Sequence, residues 1–160
     1  AEAIKSGKIA GAGVDVFPKE PKTNKETFES ELIGLPNVIL TPHIGGSTEE
    51  AQENIGHFVP AKLLEYMNNG SSYGSVNFPE VQLPKLKDSH RLLHIHANVP
   101  GVLAKLNQIF AKNNININGQ YLKTNEHIGY VIVDISKDYT EEFIQEVKDI
   151  EGTIRFRMLY

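Results

Sequence analysis

The sequence predicts an α/β protein made of two parts, and three features of the chain lead to this prediction. From residue 90 onward, strand-like and helix-like segments follow one another in regular order, which is typical of a small compact domain. Residues 1–80 show a looser pattern of short apolar strands, a long loop and one long helix. Between these parts, residues 81–89 contain proline and charged residues but few large apolar groups, which is typical of a linker.

The first part is predicted to begin with a short helix at 1–6 that ends at Gly7, a favoured residue type after a helix. Apolar runs predict three strands, and the first of them is expected to be buried; they lie at 9–17, 38–40 and 75–78. The stretch 18–36 holds three prolines and many polar residues, so it is predicted to be a long loop with a helical turn at 26–33. Long loops of this kind often carry functional residues.

A long helix is predicted to follow the second strand. Ser47 or Thr48 can cap its start, and apolar residues recur at helical spacing over 55–67. The helix is expected to stop just before Gly70. Pro60 lies inside it and predicts a kink, because proline has no N–H and its ring clashes with the preceding turn.

The second part is predicted in the order strand, helix, strand, strand, helix, strand. The strands are predicted at 91–96, 115–124, 129–136 and 153–160, and the helices at 100–111 and 140–150. Pro100 is expected at the first position of the first helix, and Thr140 is expected to cap the second. This order is that of a ferredoxin-like βαββαβ fold, which hosts many unrelated functions.

Composition and charge make several functions improbable. Sixteen Lys and Arg stand against 20 Asp and Glu, a net charge of -4 without any basic run, so no nucleic-acid partner is expected. The chain has no cysteine, which excludes disulfides and thiolate metal sites. No apolar run approaches the roughly 18 residues of a membrane span and no signal peptide begins the chain, so we expect a cytoplasmic protein without membrane contact.

The sequence lacks the glycine-rich turn by which dinucleotide-binding folds hold phosphate. The nearest candidate, at 11–16, has no third glycine and runs into a strand. We interpret Gly11 and Gly13 as close-packed strand positions. The chain also starts abruptly with what resembles the last turn of a helix, so we expect it to be a C-terminal segment of a larger enzyme.

The candidates for acid–base chemistry are His43, at the end of an apolar strand, and Glu20, in a proline-flanked loop 23 residues earlier. An imidazole titrates near neutral pH, and a nearby carboxylate can orient the ring and stabilise its charged form. The residues alone leave an alternative open, in which His43 is a strand-end histidine bonded only to backbone.

Two motifs resemble the C-terminal part of the NAD-dependent D-2-hydroxyacid dehydrogenases: G-V-D-V-F-P-K-E-P at 13–21 and L-T-P-H-I-G-G-S-T-E-E-A-Q at 40–52. Two more, V-N-F-P-E-V at 76–81 and H-I-H-A-N-V-P-G-V-L at 94–103, are similar to a member of that family that carries an ACT regulatory domain. The resemblance runs from about residue 11 to the last residue. It implies a remnant of a Rossmann-like dehydrogenase domain at 1–80, a linker at 81–89 and an ACT domain at 90–160.

The resemblance implies roles for the residues of the first part. His43 would be the general acid/base for the substrate hydroxyl, and Glu20 would hold its imidazole. Asp15, His43, Gly45 and Gly46 would contact the nicotinamide end of NAD. In the alternative, Asp15 caps a helix or turn and the two glycines form an ordinary turn; the glycines can also act as a hinge.

For the second part, the resemblance implies that L-serine binds between two ACT domains paired side by side in a homo-oligomer. The implied ligand residues are His96, Asn98, Val99, Pro100, Gly101 and Asn116. A loop that leads into a helix N-terminus suits a carboxylate, and the two asparagines offer donors and acceptors. In the alternative reading, Asn98 merely caps the helix and Asn116 supports a turn. His94 and His96 share a strand face, but we expect no metal because no third ligand is near.

The implied substrate is 3-phosphoglycerate, oxidised with NAD on the route to serine. The family grips the substrate carboxylate with an upstream arginine, whereas the arginines here are Arg91, Arg155 and Arg157, all in the second part. We therefore expect this chain alone to be inactive. Two alternatives remain: another 2-hydroxyacid dehydrogenase, or a stand-alone amino-acid sensor with dehydrogenase remnants. Some relatives have a glycine-rich joint before the ACT domain where this chain has K-D-S at 87–89, which leaves the route of regulation open.

Overall fold

The computed structural model describes residues 1–23 and 25–160, which form two compact units, 1–57 and 58–160. The division follows contacts within the chain and falls inside the long helix. The domain bounds predicted from the sequence, 1–80 and 90–160, stay a prediction.

The first unit contains a short helix, α1 (Glu2–Lys5), and two parallel strands, β1 (Ala12–Val14) and β2 (Val38–Leu40). Helix α1 confirms the prediction, and Gly7 follows it with a φ of 73°, in the left-handed region that favours glycine. Strand β2 has the predicted bounds.

The strand predicted at 9–17 is wrong in its length and its burial. Only Ala12–Val14 pairs, because the neighbouring strand β2 offers three residues to pair with. Ile9 is 44% exposed and Val16 is 63% exposed, so the apolar run that suggested a buried strand extends into solvent on both sides of β1. The close-packing assigned to the glycines holds for Gly11, where a Cβ would lie 2.5 Å from the Asn37 carbonyl oxygen, but not for Gly13, where it would meet nothing within 4 Å.

The long loop predicted at 18–36 includes Asn24, which lies outside the described residues. In its described part the backbone forms bends and turns, with a turn at 31–34 in place of the predicted helical turn at 26–33. The rings of Phe17 and Phe28 meet edge to face at 4.7 Å, which holds the loop against the end of β1.

Helix α2 (Glu49–Asn69) confirms the long helix. The Thr48 hydroxyl accepts a hydrogen bond of 3.1 Å from the Ala51 N–H, so Thr48 caps the start as predicted. The helix continues on both sides of Pro60 and ends before Gly70, whose φ is 80°. Among the described helices, none is long and apolar enough to cross a membrane.

The second unit contains a four-stranded antiparallel sheet in the order β4-β5-β3-β6, with two helices. Its elements are β3 (His90–Ala97), α3 (Val102–Lys112), β4 (Ile117–Thr124), β5 (Ile128–Ile135), α4 (Glu141–Lys148) and β6 (Thr153–Leu159). The order of elements and the position of β3 between β5 and β6 confirm the predicted ferredoxin-like fold.

Successive side chains of β3 and β5 point to opposite faces of the sheet, and both faces are apolar. Leu92, Val131 and Val133 face helices α3 and α4 and are buried there with Phe110 and Phe143. Each such side chain contributes about 1.5–3 kcal/mol by leaving water.

The other face of the sheet buries Leu93, Tyr130 and Ile132 with Leu83. Partly buried side chains from α2 and from the segment after it pack against this second cluster: Tyr66, Phe78, Val81 and Leu86. Much of the stretch that reads as a polar linker is therefore packed on the sheet, because its few apolar residues all point the same way.

Two details of this unit differ from the sequence predictions. Residues 75–78 form no strand, and 76–78 are bends, since the Ser75 N–H and hydroxyl bond to the Ser72 and Phe78 carbonyl oxygens and fold the segment back on itself. Helix α3 begins at Val102 and not at Pro100, because Gly101 has a φ of 94° that a helix does not allow. The cap predicted for α4 is confirmed, with the Thr140 hydroxyl accepting from the Phe143 N–H at 3.2 Å.

Candidate functional site

Polar residues gather where the two strands of the first unit end. Strands β1 and β2 are parallel, so their carboxyl ends meet at one edge. Asp15 follows β1, and Thr41 and His43 follow β2. The edge therefore brings together side chains that lie 26 to 28 residues apart in sequence.

Asp15 holds the backbone around His43. Its Oδ1 accepts hydrogen bonds from the Thr41 hydroxyl at 2.5 Å and from the His43 N–H at 3.0 Å. These bonds, that of Thr41 foremost, lower the pKa of the Asp15 carboxyl below its usual value. His43 has a φ of 51°, an uncommon backbone conformation for a residue other than glycine, and the bond from Asp15 fixes it there.

Glu20 holds the imidazole of His43. The Nδ1 atom lies 2.9 Å from Oε1 and 3.0 Å from Oε2 of the carboxylate. Oε1 also accepts a 2.9 Å bond from the Phe17 N–H, and this bond and then the His43 contact lower the pKa of Glu20. Because an ionised carboxylate can only accept, Nδ1 carries the hydrogen, and Nε2 is the nitrogen that remains for a ligand.

An open cleft of about 540 Å³ adjoins this pair. Its lining includes Phe17, Glu20, Phe28, Thr41, His43 and Ile44. The side chains of His43 and Glu20 are 45% and 36% exposed, so both are accessible to a small molecule in the cleft.

The glycines after His43 lie in a turn that the Ser47 N–H closes on the Ile44 carbonyl oxygen. A Cβ added at Gly45 or Gly46 would meet no atom within 4 Å. The described residues thus leave free space beside both glycines, in which a ligand could approach the backbone.

The structure brings Asp15, Glu20 and His43 together as the sequence predicts, and it adds Thr41, which the sequence analysis did not name. Thr41 directly follows β2 and lies two residues before His43, so a hydroxyl at a strand end next to a candidate catalytic residue was the available signal. Its bond to Asp15 links the ends of β1 and β2 through side chains.

In the second unit, His94 and His96 stack on the helix-facing side of β3, with ring centroids 5.5 Å apart. The Nδ1–H of His96 donates to the Ala97 carbonyl oxygen at 2.7 Å. The Thr153 hydroxyl donates to the Ile150 carbonyl oxygen, so it accepts from the Nε2–H of His94 at 2.8 Å. Both rings therefore present an unprotonated nitrogen, Nδ1 of His94 and Nε2 of His96, and both nitrogens are buried without a partner among the described residues.

The His96 ring lies across Gly129 of the neighbouring strand. A Cβ at position 129 would come within 2.2 Å of Cε1 and 2.4 Å of Nε2 of His96. The sequence analysis did not single out Gly129, although a glycine inside a predicted strand often marks such a close approach.

The other predicted ligand residues are on the surface. The Asn98 side-chain amide donates to the Asn125 carbonyl oxygen at 2.8 Å, and Gly101 occupies the N-cap position of α3 without a side-chain bond, so Asn98 does not cap this helix. Val99, Pro100 and Gly101 are exposed beside Asn98. The amide of Asn116 donates to the side chain of Asn118 at 3.3 Å.

Asn116 lies far from the other predicted ligand residues within one chain. It precedes β4, whose first residue Ile117 pairs with the last residue of β5, whereas Asn98 follows β3 at the opposite end of the sheet. Eight residues of extended strand separate the two ends, about 26 Å.

Arg91 and Arg157 have structural partners, and Arg157 donates to the Met67 carbonyl oxygen. Arg91 is fully buried and forms two bonds to the Asp134 carboxylate, at 2.5 and 2.7 Å. Among residues 1–23 and 25–160, no group of three metal-ligating side chains lies together.

The stability of the second unit is expected to fall at mildly acidic pH because of His94. Burial lowers the pKa of His94 from 6.5 to about 4, and the neighbouring His96 adds to this effect. Between pH 6.5 and 4, His94 is protonated in the unfolded chain but not in the folded chain. The contribution of His94 to the free energy of unfolding is therefore fully present above this pH range and is lost as the pH falls through it. Between pH 7 and 5 the loss amounts to about 2 kcal/mol.

Urea unfolding at pH 7 and pH 5 measures this loss. The matched variant His94→Gln keeps a donor for Thr153 but cannot titrate, so its stability should change less between the two pH values. An equal pH dependence in both proteins would show that His94 does not carry the effect.

Both parts of the chain match known protein families. Residues 1–45 match the family of the D-isomer specific 2-hydroxyacid dehydrogenase, NAD binding domain. Residues 92–155 match the AHAS small subunit-like ACT domain.

Curated relatives match the whole chain. It is 56% identical over 160 residues to a D-3-phosphoglycerate dehydrogenase of Haemophilus influenzae, covering 100% of this chain and 39% of that protein. Identity to the D-3-phosphoglycerate dehydrogenase of Escherichia coli is 55%, over 99% of this chain and 39% of that protein. Identity to the D-3-phosphoglycerate dehydrogenase of Dictyostelium discoideum is 47%, over 100% of this chain and 39% of that protein.

The chain thus spans about two fifths of the length of these relatives. The matched range 1–45 includes Asp15, Glu20 and His43, which meet at the ends of β1 and β2. Together with the two domain matches, this similarity shows that the chain belongs to the D-isomer-specific 2-hydroxyacid dehydrogenase family, among relatives named D-3-phosphoglycerate dehydrogenase, and carries an ACT domain.

Proposed function

We propose that this chain is part of an NAD-dependent D-3-phosphoglycerate dehydrogenase, which oxidises 3-phosphoglycerate to 3-phosphohydroxypyruvate in cytoplasmic L-serine biosynthesis. The observation that carries the proposal is the contact of the His43 imidazole with the Glu20 carboxylate, at 2.9 and 3.0 Å, beside an open cleft. The relatives are named D-3-phosphoglycerate dehydrogenase, which supports 3-phosphoglycerate as the substrate.

In this proposal His43 moves the proton of the substrate hydroxyl. With Nδ1–H bound to Glu20, the neutral ring offers Nε2 as a base for a hydroxyl in the cleft. As the proton arrives, the imidazole becomes a cation, and the ionised Glu20 stabilises that charge. In the reverse direction the same nitrogen returns the proton. Asp15 keeps the His43 backbone, and hence the ring, in place.

The residues present fit the nicotinamide end of NAD. Both described bonds to Asp15 fall on Oδ1, so Oδ2 is available to accept from a carboxamide, and space is free beside Gly45 and Gly46. When bound there, NAD would supply the hydride acceptor for the carbon whose hydroxyl proton His43 takes. The phosphate-binding glycines and the arginine for the substrate carboxylate are expected upstream, so this chain alone should form no NADH.

Turnover by the whole enzyme tests the substrate. Assays with 3-phosphoglycerate and NAD, and in reduction with 2-oxoglutarate and glyoxylate, separate this proposal from another 2-hydroxyacid dehydrogenase. A preference for either alternative acid by kcat/KM would contradict it. A coding region that lacks an upstream glycine-rich turn would favour the alternative of a stand-alone amino-acid sensor.

We also propose that L-serine binds the ACT domain at His96, Asn98, Val99, Pro100 and Gly101, with Asn116 supplied by a second copy. Asn98 and Asn116 of one chain are separated by the length of the sheet, so a site that uses both requires two paired domains. β4 lies at the edge of the sheet, so its unpaired backbone groups are available to the β4 strand of a second copy in antiparallel pairing. The exposed backbone before α3 offers N–H groups to a carboxylate.

Calorimetric titration of L-serine into this 160-residue chain is expected to show binding that Asn98→Ala abolishes or weakens at least about tenfold, because the amide is lost from an otherwise intact surface. Asn77→Ala, at another exposed asparagine of the same unit, is the matched control and should bind normally. Absence of binding to the folded chain would contradict the effector proposal and leave the dehydrogenase proposal standing.

A further inference from the structure

The C-terminus of α2 is held by side chains of the ACT sheet. The last carbonyl groups of a helix have no partner within the helix and need donors from elsewhere. Here the Tyr130 hydroxyl donates to the Gly70 carbonyl oxygen at 2.6 Å, and Arg91 Nη1 donates to that of Asn69 at 2.9 Å. Arg157 donates to the carbonyl oxygen of Met67.

Two of these donors are themselves fixed and fully buried. Arg91 is clamped by the Asp134 carboxylate and also donates to the Pro84 carbonyl oxygen at 3.0 Å. The Tyr130 ring is packed in the second cluster of the sheet and contacts the Phe78 ring at 5.0 Å. Breaking either contact would leave a buried polar group without a partner, which is unfavourable.

Gly70, whose carbonyl oxygen accepts the Tyr130 bond, is closely packed against the sheet. A Cβ there would lie 2.5 Å from Leu93 Cδ2 and 2.9 Å from the Tyr130 hydroxyl oxygen, and the φ of 80° favours glycine. The chain end of α2 therefore rests directly on the sheet. Lys87 and Asp88, by contrast, are exposed, and the side-chain bond described for residues 87–89 is a local one from the Ser89 hydroxyl to the Lys87 carbonyl oxygen.

We propose that Tyr130 and Arg91 are positioning residues that fasten α2 to the regulatory sheet, so that a shift of the sheet on effector binding is passed to α2 and not through residues 87–89. Helix α2 begins six residues after His43 in the chain, so only a short stretch of backbone separates the helix from the proposed catalytic histidine. This inference rests on the proposed function, because it needs an effector that acts on turnover.

The test uses the whole enzyme with Tyr130→Phe, which removes one hydroxyl and keeps the ring in the core. The L-serine Kd, measured by calorimetry, should change less than about twofold, while the maximal inhibition of turnover by saturating L-serine should fall to less than about half. Tyr121→Phe, at a partly buried tyrosine of β4, is the matched control and should keep full inhibition. Full inhibition in Tyr130→Phe would overturn the proposal.

Hydrogen exchange on the same proteins tests the attachment separately from the effector. Amides of residues 66–72 should exchange about 3- to 10-fold faster in Tyr130→Phe, whereas amides of α4 should not change. Unchanged exchange at 66–72 would overturn the attachment. If the unaltered enzyme binds no L-serine, the effector proposal and the transmission both fail, and the exchange result still decides whether Tyr130 holds α2.

Discussion

Replacement of His43 by glutamine in the whole enzyme is expected to lower kcat by about 10²- to 10⁴-fold, the usual contribution of a positioned general acid/base. Glutamine keeps a polar side chain of similar length but cannot take the proton of a hydroxyl. KM for 3-phosphoglycerate should change much less, because the proposed role lies in the transition state and not in binding the ground state.

Glu20→Gln should lower kcat less than the histidine variant does. A glutamine can still bond to Nδ1 through its carbonyl oxygen, but it carries no charge to stabilise the imidazolium formed during oxidation. The effect should be larger in the oxidation direction, in which the imidazolium charge forms, than in reduction, in which that charge is lost.

The control is His57→Gln, at an exposed histidine of α2, which should leave kcat unchanged. A pH profile of kcat/KM that keeps its shape in His43→Gln, together with near-normal turnover, would rule out His43 as the acid/base. Equal losses in His57→Gln would point to a general effect on folding.

The sequence predicts the pairing of His43 with Glu20 only through a motif, since the spacing of 23 residues says nothing about contact. The two residues meet because β1 and β2 are parallel neighbours and the loop after β1 turns back at Phe17. A hydroxyl at the end of β2 was a signal for Thr41, but its bond to Asp15 and the left-handed backbone at His43 could not be predicted, because both depend on the carboxylate of the adjacent strand end.

The ACT fold is predictable because its strands are long. Eight residues of β3 and eight of β5 show clear apolar patterns, both helices carry an apolar stripe, and α4 has a side-chain cap. Short segments give no such signal. The run at 75–78 has strand-like composition, yet side-chain bonds of Ser72 and Ser75 bend it, and Val76 is almost fully exposed.

The attachment of residues 70–86 to the sheet could not be predicted from composition either. The buried partners of this segment, such as Tyr130 and Arg91, come from β5 and β3, which follow it in the chain. A polar, proline-containing stretch can thus be fixed by a few well-placed carbonyl groups.

Substitution of Gly129 by alanine is expected to disrupt the proposed effector site more severely than any change on the surface of the ACT domain. The new methyl carbon would lie 2.2 Å from His96 Cε1, closer than any van der Waals contact allows, and the ring is buried against β5. His96 would have to leave its place and lose the bond to the Ala97 carbonyl oxygen. Overpacking of this kind typically lowers the free energy of unfolding by about 1–3 kcal/mol.

Gly119→Ala on strand β4 is the matched control, because a Cβ there would have its nearest atoms at 3.7 Å, an ordinary contact. Alanine in a strand also restricts the unfolded chain more than glycine does, so the control should be neutral or slightly stabilised. Urea unfolding measures the stability of both variants, and calorimetry measures L-serine binding. If Gly129→Ala unfolds like the unaltered chain and still binds L-serine, the His96 ring is free to move and its position over Gly129 is not needed for the site.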